Sequence, residues 1–107
     1  ETGATLVRPY DDPGVIAGQG TIGLEIAEQA AEAGATLAAV IVCCGGGGLV
    51  SGTALAIHHV APGVAVYSAA PENFADLARS LRRGTPVSHA PARRSTRRCH
   101  ILASRNR

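Results

Sequence analysis

The sequence predicts an α/β fold, a parallel sheet with flanking helices, on three observations. Residues 37–44 (LAAVIVCC) are apolar without a break, the pattern of a strand covered on both faces rather than one alternating with solvent. Four consecutive glycines follow directly, and behind them comes an apolar-faced helical run. Strand-like and helix-like segments keep alternating after that, as a parallel sheet with helical crossovers requires.

Taken in order, Thr5, Leu6 and Val7 form a short apolar run closed by Arg8 and Pro9, and read as a first strand. Asp11, Asp12, Pro13 and Gly14 read as a turn, because Asp hydrogen-bonds forward to the backbone and Pro-Gly presets the dihedrals. Thr21 suits a helix N-cap. Ile22, Ile26, Ala30 and Ala33 then share one face, with Glu25, Glu28, Gln29 and Glu32 around the rest. Gly34 is placed to end that helix. After the strand at 37–44 a second helix is expected from about 49 to 59, then a Pro62-Gly63 turn and a strand at 64–67. Pro71 suits the first position of a third helix. That helix runs to about Arg82, with Glu72 and Asp76 early and Arg79, Arg82 and Arg83 late, as the helix dipole favours. Gly84 ends it.

The 107 residues allow one domain or part of one. Hydrophobic residues make up 46% and charged residues 17%, which excludes an ordinary disordered chain. With two Tyr, one Phe and no Trp, the core must be aliphatic. Residues 1–76 carry eight acids and one base, Arg8, whereas residues 77–107 carry nine Arg and no acid. No apolar stretch reaches the roughly 20 residues of a membrane span. The chain opens at Glu1 without a signal-peptide pattern, and it has no Met and no Lys, so an internal piece of a longer protein is expected. Cys43, Cys44 and Cys99 have neither disulfide-framework nor zinc spacing, and a reducing cytoplasm is the expected setting.

The tetraglycine Gly45, Gly46, Gly47 and Gly48, with Leu49, is the sharpest local signal. It lies between the carboxyl end of a buried strand and a helix N-terminus, where open α/β sheets bind ligands. Residues without a Cβ let successive N–H groups converge, and the helix adds partial positive charge. This arrangement favours a phosphate cradle over a plain turn. Gly18, Gly20 and Gly23 match the dinucleotide fingerprint G-x-G-x-x-G, but no adequate strand precedes them and no acid follows at the right distance. That match is set aside. His58 and His59 read as a solvated helix end rather than an acid–base pair, and Cys43 and Cys44 read as small core residues rather than reactive thiols.

Together these segments resemble the fold type II, pyridoxal-phosphate-dependent threonine/serine dehydratases and serine racemases. Residues 8–26 (RPYDDPGVIAGQGTIGLEI) are similar to the stretch between that family's two cofactor-contacting regions. Residues 42–52 (VCCGGGGLVSG) resemble its phosphate loop. Residues 67–73 (YSAAPEN) and 84–88 (GTPVS) resemble two further segments at matching spacing. The resemblance implies part of a large domain of the tryptophan synthase beta-like fold, over residues 1–91. It implies that the backbone amides of Gly45, Gly46, Gly47, Gly48 and Leu49 hold the phosphate of pyridoxal phosphate. It also implies a β-elimination that turns a hydroxy amino acid into a 2-oxo acid and ammonia, in a cytoplasmic homo-oligomer that takes a small amino-acid substrate. Thr21 and Glu25 fit structural positions.

Three departures bear on activity. The family's Schiff-base lysine and its ring-contacting Asn fall upstream of Glu1, and its pyridine-nitrogen partner falls beyond Arg107. No catalytic residue is therefore expected in these residues, and the isolated chain is expected to be inactive. Where some family members hold a divalent cation, this sequence has Ala70, Phe74 and Asp76; one carboxylate is a poor hard-cation site, and no metal is expected. Residues 92–107 depart from the family and read as a disordered, Arg-rich tail, with disorder without selected function favoured over a nucleic-acid arm and a disturbed reading frame or decayed gene left open as its origin. Two alternatives to the dehydratase reading stay open: a phosphate- or nucleotide-binding module without catalysis, and a nucleic-acid-interaction protein acting through its basic tail.

Overall fold

Helix α1 (Pro13–Glu32) begins well before Thr21. The Asp12 carboxylate accepts hydrogen bonds from the Gly14 N–H at 2.8 Å and the Val15 N–H at 3.2 Å, and Pro13 occupies the first helical position. The expected Asp-Asp-Pro-Gly turn is therefore a helix start, the pairing of N-cap acid and N1 proline that best satisfies the orphan amides of a first turn. Thr21 lies inside the helix, and its hydroxyl donates to the Gly18 carbonyl at 2.8 Å. At the other end Gly34 adopts φ +64°. Its N–H donates to the Ala31 carbonyl and that of Ala35 to the Ala30 carbonyl, a Schellman stop. Gly34 ends the helix as expected.

The computed structural model describes residues 2–71, 76–87 and 99–103. After α1 come β1 (Ala39–Cys43), α2 (Gly48–Val60), β2 (Ala65–Pro71), α3 (Asp76–Arg83) and β3 (Cys99–Ala103). Strands β1 and β2 pair in parallel, from Ala39 opposite Ala65 to Cys43 opposite Ala69, joined through α2. The Cys44 N–H extends the ladder to the Ala69 carbonyl at 2.8 Å. The strand–helix–strand core of the expected α/β fold is thus present.

Four expectations are corrected. Residues 5–7 are not a strand; Leu6 and Val7 are exposed, since no described strand lies beside them to complete a hydrogen-bond ladder. Pro71 ends β2 instead of opening a helix. Strand β1 is covered on one face only: Val40 and Val42 are buried, while Ile41 between them is 60% exposed. The unbroken apolar sequence suits two covers, and among the described residues helices lie on one side. Finally, part of the tail read as disordered is ordered, because residues 99–103 form β3, antiparallel to β2. The sheet is therefore mixed. The rest of that tail lies outside the described residues.

The core gathers on the covered face, where Val40, Val42, Cys44, Val50, Ile57 and Val66 are buried together with Ile26, Leu37 and Leu77 against them. It is aliphatic, as the composition requires. Helix α2 lies against β1 and β2, and α1 packs chiefly on α2. The approach of the two helices is close. A Cβ on Gly23 would lie 2.8 Å from both the Ala56 Cβ and the Thr53 carbonyl oxygen, and one on Gly52 would collide with the Ile16 carbonyl oxygen.

Candidate functional site

The carboxyl end of β1 and the amino end of α2 meet at residues 44–48, and local physics sets their geometry. Gly47 is the N-cap of α2, with φ +95° and ψ −15°, and no side chain caps the helix. The contrast with α1, capped by Asp12, is direct. A helix start leaves about four N–H groups without intrahelical partners, and the aligned peptide dipoles place about half a positive charge there. In α2 those groups belong to Gly47, Gly48, Leu49 and Val50, in a segment that carries no charged side chain. The arrangement suits an anion that can accept several N–H donors at once.

Space around the four glycines differs. A Cβ on Gly45 or on Gly47 would meet nothing within 4 Å. On Gly46 it would fall inside the Tyr10 side chain, 2.9 Å from the Tyr10 Cβ, and on Gly48 it would lie 2.9 Å from the Pro9 carbonyl oxygen. The segment before α1 therefore lies across one side of the loop. It then turns into the helix at Asp11, whose φ of 59° is the one positive value at a non-glycine among the described residues. The sequence singles out the loop but not Tyr10. The one signal for Tyr10 is an aromatic ahead of an Asp-Pro pair, which says nothing of what the ring touches.

Of the other candidates, Gly18, Gly20 and Gly23 lie inside α1. Gly20 and Gly23 face α2 at Gly52, Thr53 and Ala56, so these two glycines serve helix packing, and none of the three lies in a strand-to-helix phosphate turn. His58 and His59 lie in the last turn of α2, at the far end of the helix from the glycine loop. Cys44 is buried and Cys43 is exposed, so only Cys44 is the core residue expected of both. Burial pushes the Cys44 thiol above its usual pKa, and the neighbouring Cys43 adds to this. Ala70 is buried on β2 and Asp76 opens α3; Phe74 lies outside the described residues, and among these no cluster of three metal-ligating side chains occurs. None of the described helices is long and apolar enough to cross a membrane.

The chain is similar to known proteins over most of its length. The family model described as pyridoxal-phosphate dependent enzyme matches residues 1–104. The chain is 49% identical over 84 residues to an L-threonine ammonia-lyase of Thermotoga maritima, covering 78% of this chain and 20% of that protein. It is 44% identical over 88 residues to a serine racemase of Arabidopsis thaliana, covering 82% of this chain and 25% of that protein. Against a beta-hydroxyaspartate dehydratase of Paracoccus denitrificans the identity is 45%, with 78% and 25% covered. Among solved structures, the maize serine racemase superposes with a TM-score of 0.73 at 38% identity, over 82% of this chain and 26% of that one. The chain thus spans a fifth to a quarter of the length of these curated relatives.

Proposed function

Because the chain belongs to the pyridoxal-phosphate-dependent enzymes, among relatives that are dehydratases and racemases, we propose that it is the phosphate-holding part of an L-threonine/L-serine ammonia-lyase. The observation that carries this reading is the start of α2: a helix N-terminus without a side-chain cap, behind a glycine loop open at Gly45 and Gly47. Backbone N–H groups of Gly45, Gly46, Gly47, Gly48 and Leu49 would hold the phosphate of pyridoxal phosphate. A dianion accepts such donors strongly, and charge-assisted hydrogen bonds are about twice as strong as neutral ones.

When bound, pyridoxal phosphate supplies an electron sink for loss of the α-proton and β-hydroxyl of a hydroxy amino acid, which ends as a 2-oxo acid and ammonia. The part played by this chain is to bind and orient. Fixing the phosphate against β1 and α2 sets where the ring lies relative to groups that belong to other parts of the enzyme. None of the 107 residues is a lysine, so the amine that holds the cofactor aldehyde must come from outside them, and the isolated chain is catalytically inert. The whole enzyme is read as a cytoplasmic homo-oligomer that acts on a small amino acid.

Calorimetric titration tests the binding. Pyridoxal phosphate is expected to bind the chain, phosphate-free pyridoxal to bind at least about tenfold more weakly, the loss of roughly one charge-assisted hydrogen bond, and a Gly46→Asp, Gly47→Asp double variant to lose binding. Equal affinity for the two pyridoxals would overturn the phosphate assignment. The same preparation, incubated with L-threonine and cofactor, is expected to form no 2-oxobutanoate; detectable product would contradict its inertness.

A further inference from the structure

The four glycines are not equivalent, and the difference assigns a role to the segment ahead of α1. Gly45 and Gly47 have open space where a Cβ would stand, so their missing side chains leave room on the outer side of the loop. Gly46 and Gly48 have none: Tyr10 fills the place at Gly46, and the Pro9 carbonyl and Tyr10 Cα, at 2.9 and 3.3 Å, fill it at Gly48. We propose that Tyr10 is a positioning residue for the anion loop, its side chain laid on Gly46 so that the loop's amides are held in place for a phosphate group. This rests on the phosphate-holding role argued above.

The contact reaches the root of the side chain. A Cβ on Gly46 would conflict with the Tyr10 Cβ and Cγ as well as the ring edge, so a change of rotamer alone would not relieve it; residues 9–11 would have to lift. Their path is constrained where it enters α1. Asp11 holds a left-handed backbone, and Asp12 is tied into the first turn of α1 by its two hydrogen bonds. The loop itself has glycine flexibility, which costs entropy when a ligand fixes it. A packed aromatic with few rotatable bonds offsets part of that cost beforehand, in the way preorganisation raises affinity. The ring does this and not the hydroxyl, because the atoms laid on Gly46 are the Tyr10 Cβ, Cγ and Cδ1.

A double-mutant cycle on the 107-residue chain tests the assignment, with inorganic phosphate and pyridoxal phosphate as probes. Tyr10→Gly and Gly46→Ala are each expected to weaken binding by roughly tenfold, about the loss of one charge-assisted hydrogen bond. With Tyr10→Gly already present, adding Gly46→Ala is expected to change affinity by less than about twofold, because both act through one contact. Tyr10→Phe is expected to restore the affinity. Independent losses that multiply would overturn the proposal, as would Tyr10→Phe behaving like Tyr10→Gly. A ligand-free readout separates this from the binding site itself. The Gly46 amide proton is expected to carry a ring-current shift that Tyr10→Gly abolishes and Tyr10→Phe keeps. If that shift is present and neither probe binds, the phosphate reading fails while the contact stands; if it is absent, the positioning role fails whatever binds.

Discussion

Gly47 carries the steepest backbone demand at the loop. Its φ of +95° lies where residues with a Cβ are strained, at a cost of about 1–2 kcal/mol, and no neighbour crowds it. Gly47→Ala is therefore expected to lower the unfolding free energy by about that amount, read as a shift in the denaturant midpoint. Gly45→Ala, at a glycine with no positive φ and open space, is expected to shift it far less. Cys43 and Cys44 give a second residue-scale test. With its pKa raised chiefly by burial, the Cys44 thiol favours the protonated form in the folded chain. Its contribution to stability is then complete below the ordinary thiol value of 9.0 and is lost as pH rises through the higher folded value. A melting temperature that falls more steeply above pH 9.0 in the native chain than in Cys44→Ala would show it; identical alkaline limbs would count against it. At this scale the sequence made the loop legible, because glycines between an apolar strand and a helix have a recognisable place. It could not divide the four by role, since the division depends on Pro9 and Tyr10, which reach the loop only through the fold.

Between elements, the α1–α2 contact decides what the remaining glycines do. Gly23 and Gly52 let two helix backbones approach to a distance at which added methyl groups would overlap carbonyl oxygens, and at Gly20 one would be tight against the Gly52 carbonyl. Gly52→Ala is expected to destabilise the chain by about 1–3 kcal/mol, the usual range for overpacking. Gly18→Ala is expected to stabilise it by up to about 1 kcal/mol, because Gly18 has open space within the helix and alanine is the better helix former. Equal responses in chemical denaturation would show that the two helices are not in the described contact. The start of α1 differs from the expectation for a related reason. Gly14, Gly18 and Gly20 lower helix propensity, so the sequence suggests a start at Thr21, whereas the Asp12 cap and packing on α2 outweigh that penalty. The end at Gly34 was legible because a single glycine past an amphipathic run has a local cause.

For the whole molecule, the unit β1–α2–β2 followed from the sequence because its signals are local: an apolar run, a glycine turn, an amphipathic run and a second apolar run. Strand β3 did not, because pairing with β2 uses backbone groups that composition does not report, and its sequence lies within an Arg-rich stretch. The bare face of β1, with Ile41 exposed, was also missed; a strand's pattern tells what surroundings it suits and not whether the same 107 residues supply them. That face is consistent with a chain that spans a fifth to a quarter of its curated relatives. In the proposed function the start of α2 receives a phosphate group. Titrating pyridoxal phosphate into isotopically labelled chain and following each backbone amide tests it most directly. Saturable shifts are expected, centred on Gly45, Gly46, Gly47, Gly48 and Leu49, with His58 and His59 at the far end of α2 unmoved; saturable shifts centred elsewhere, or none at millimolar cofactor, would overturn the phosphate assignment.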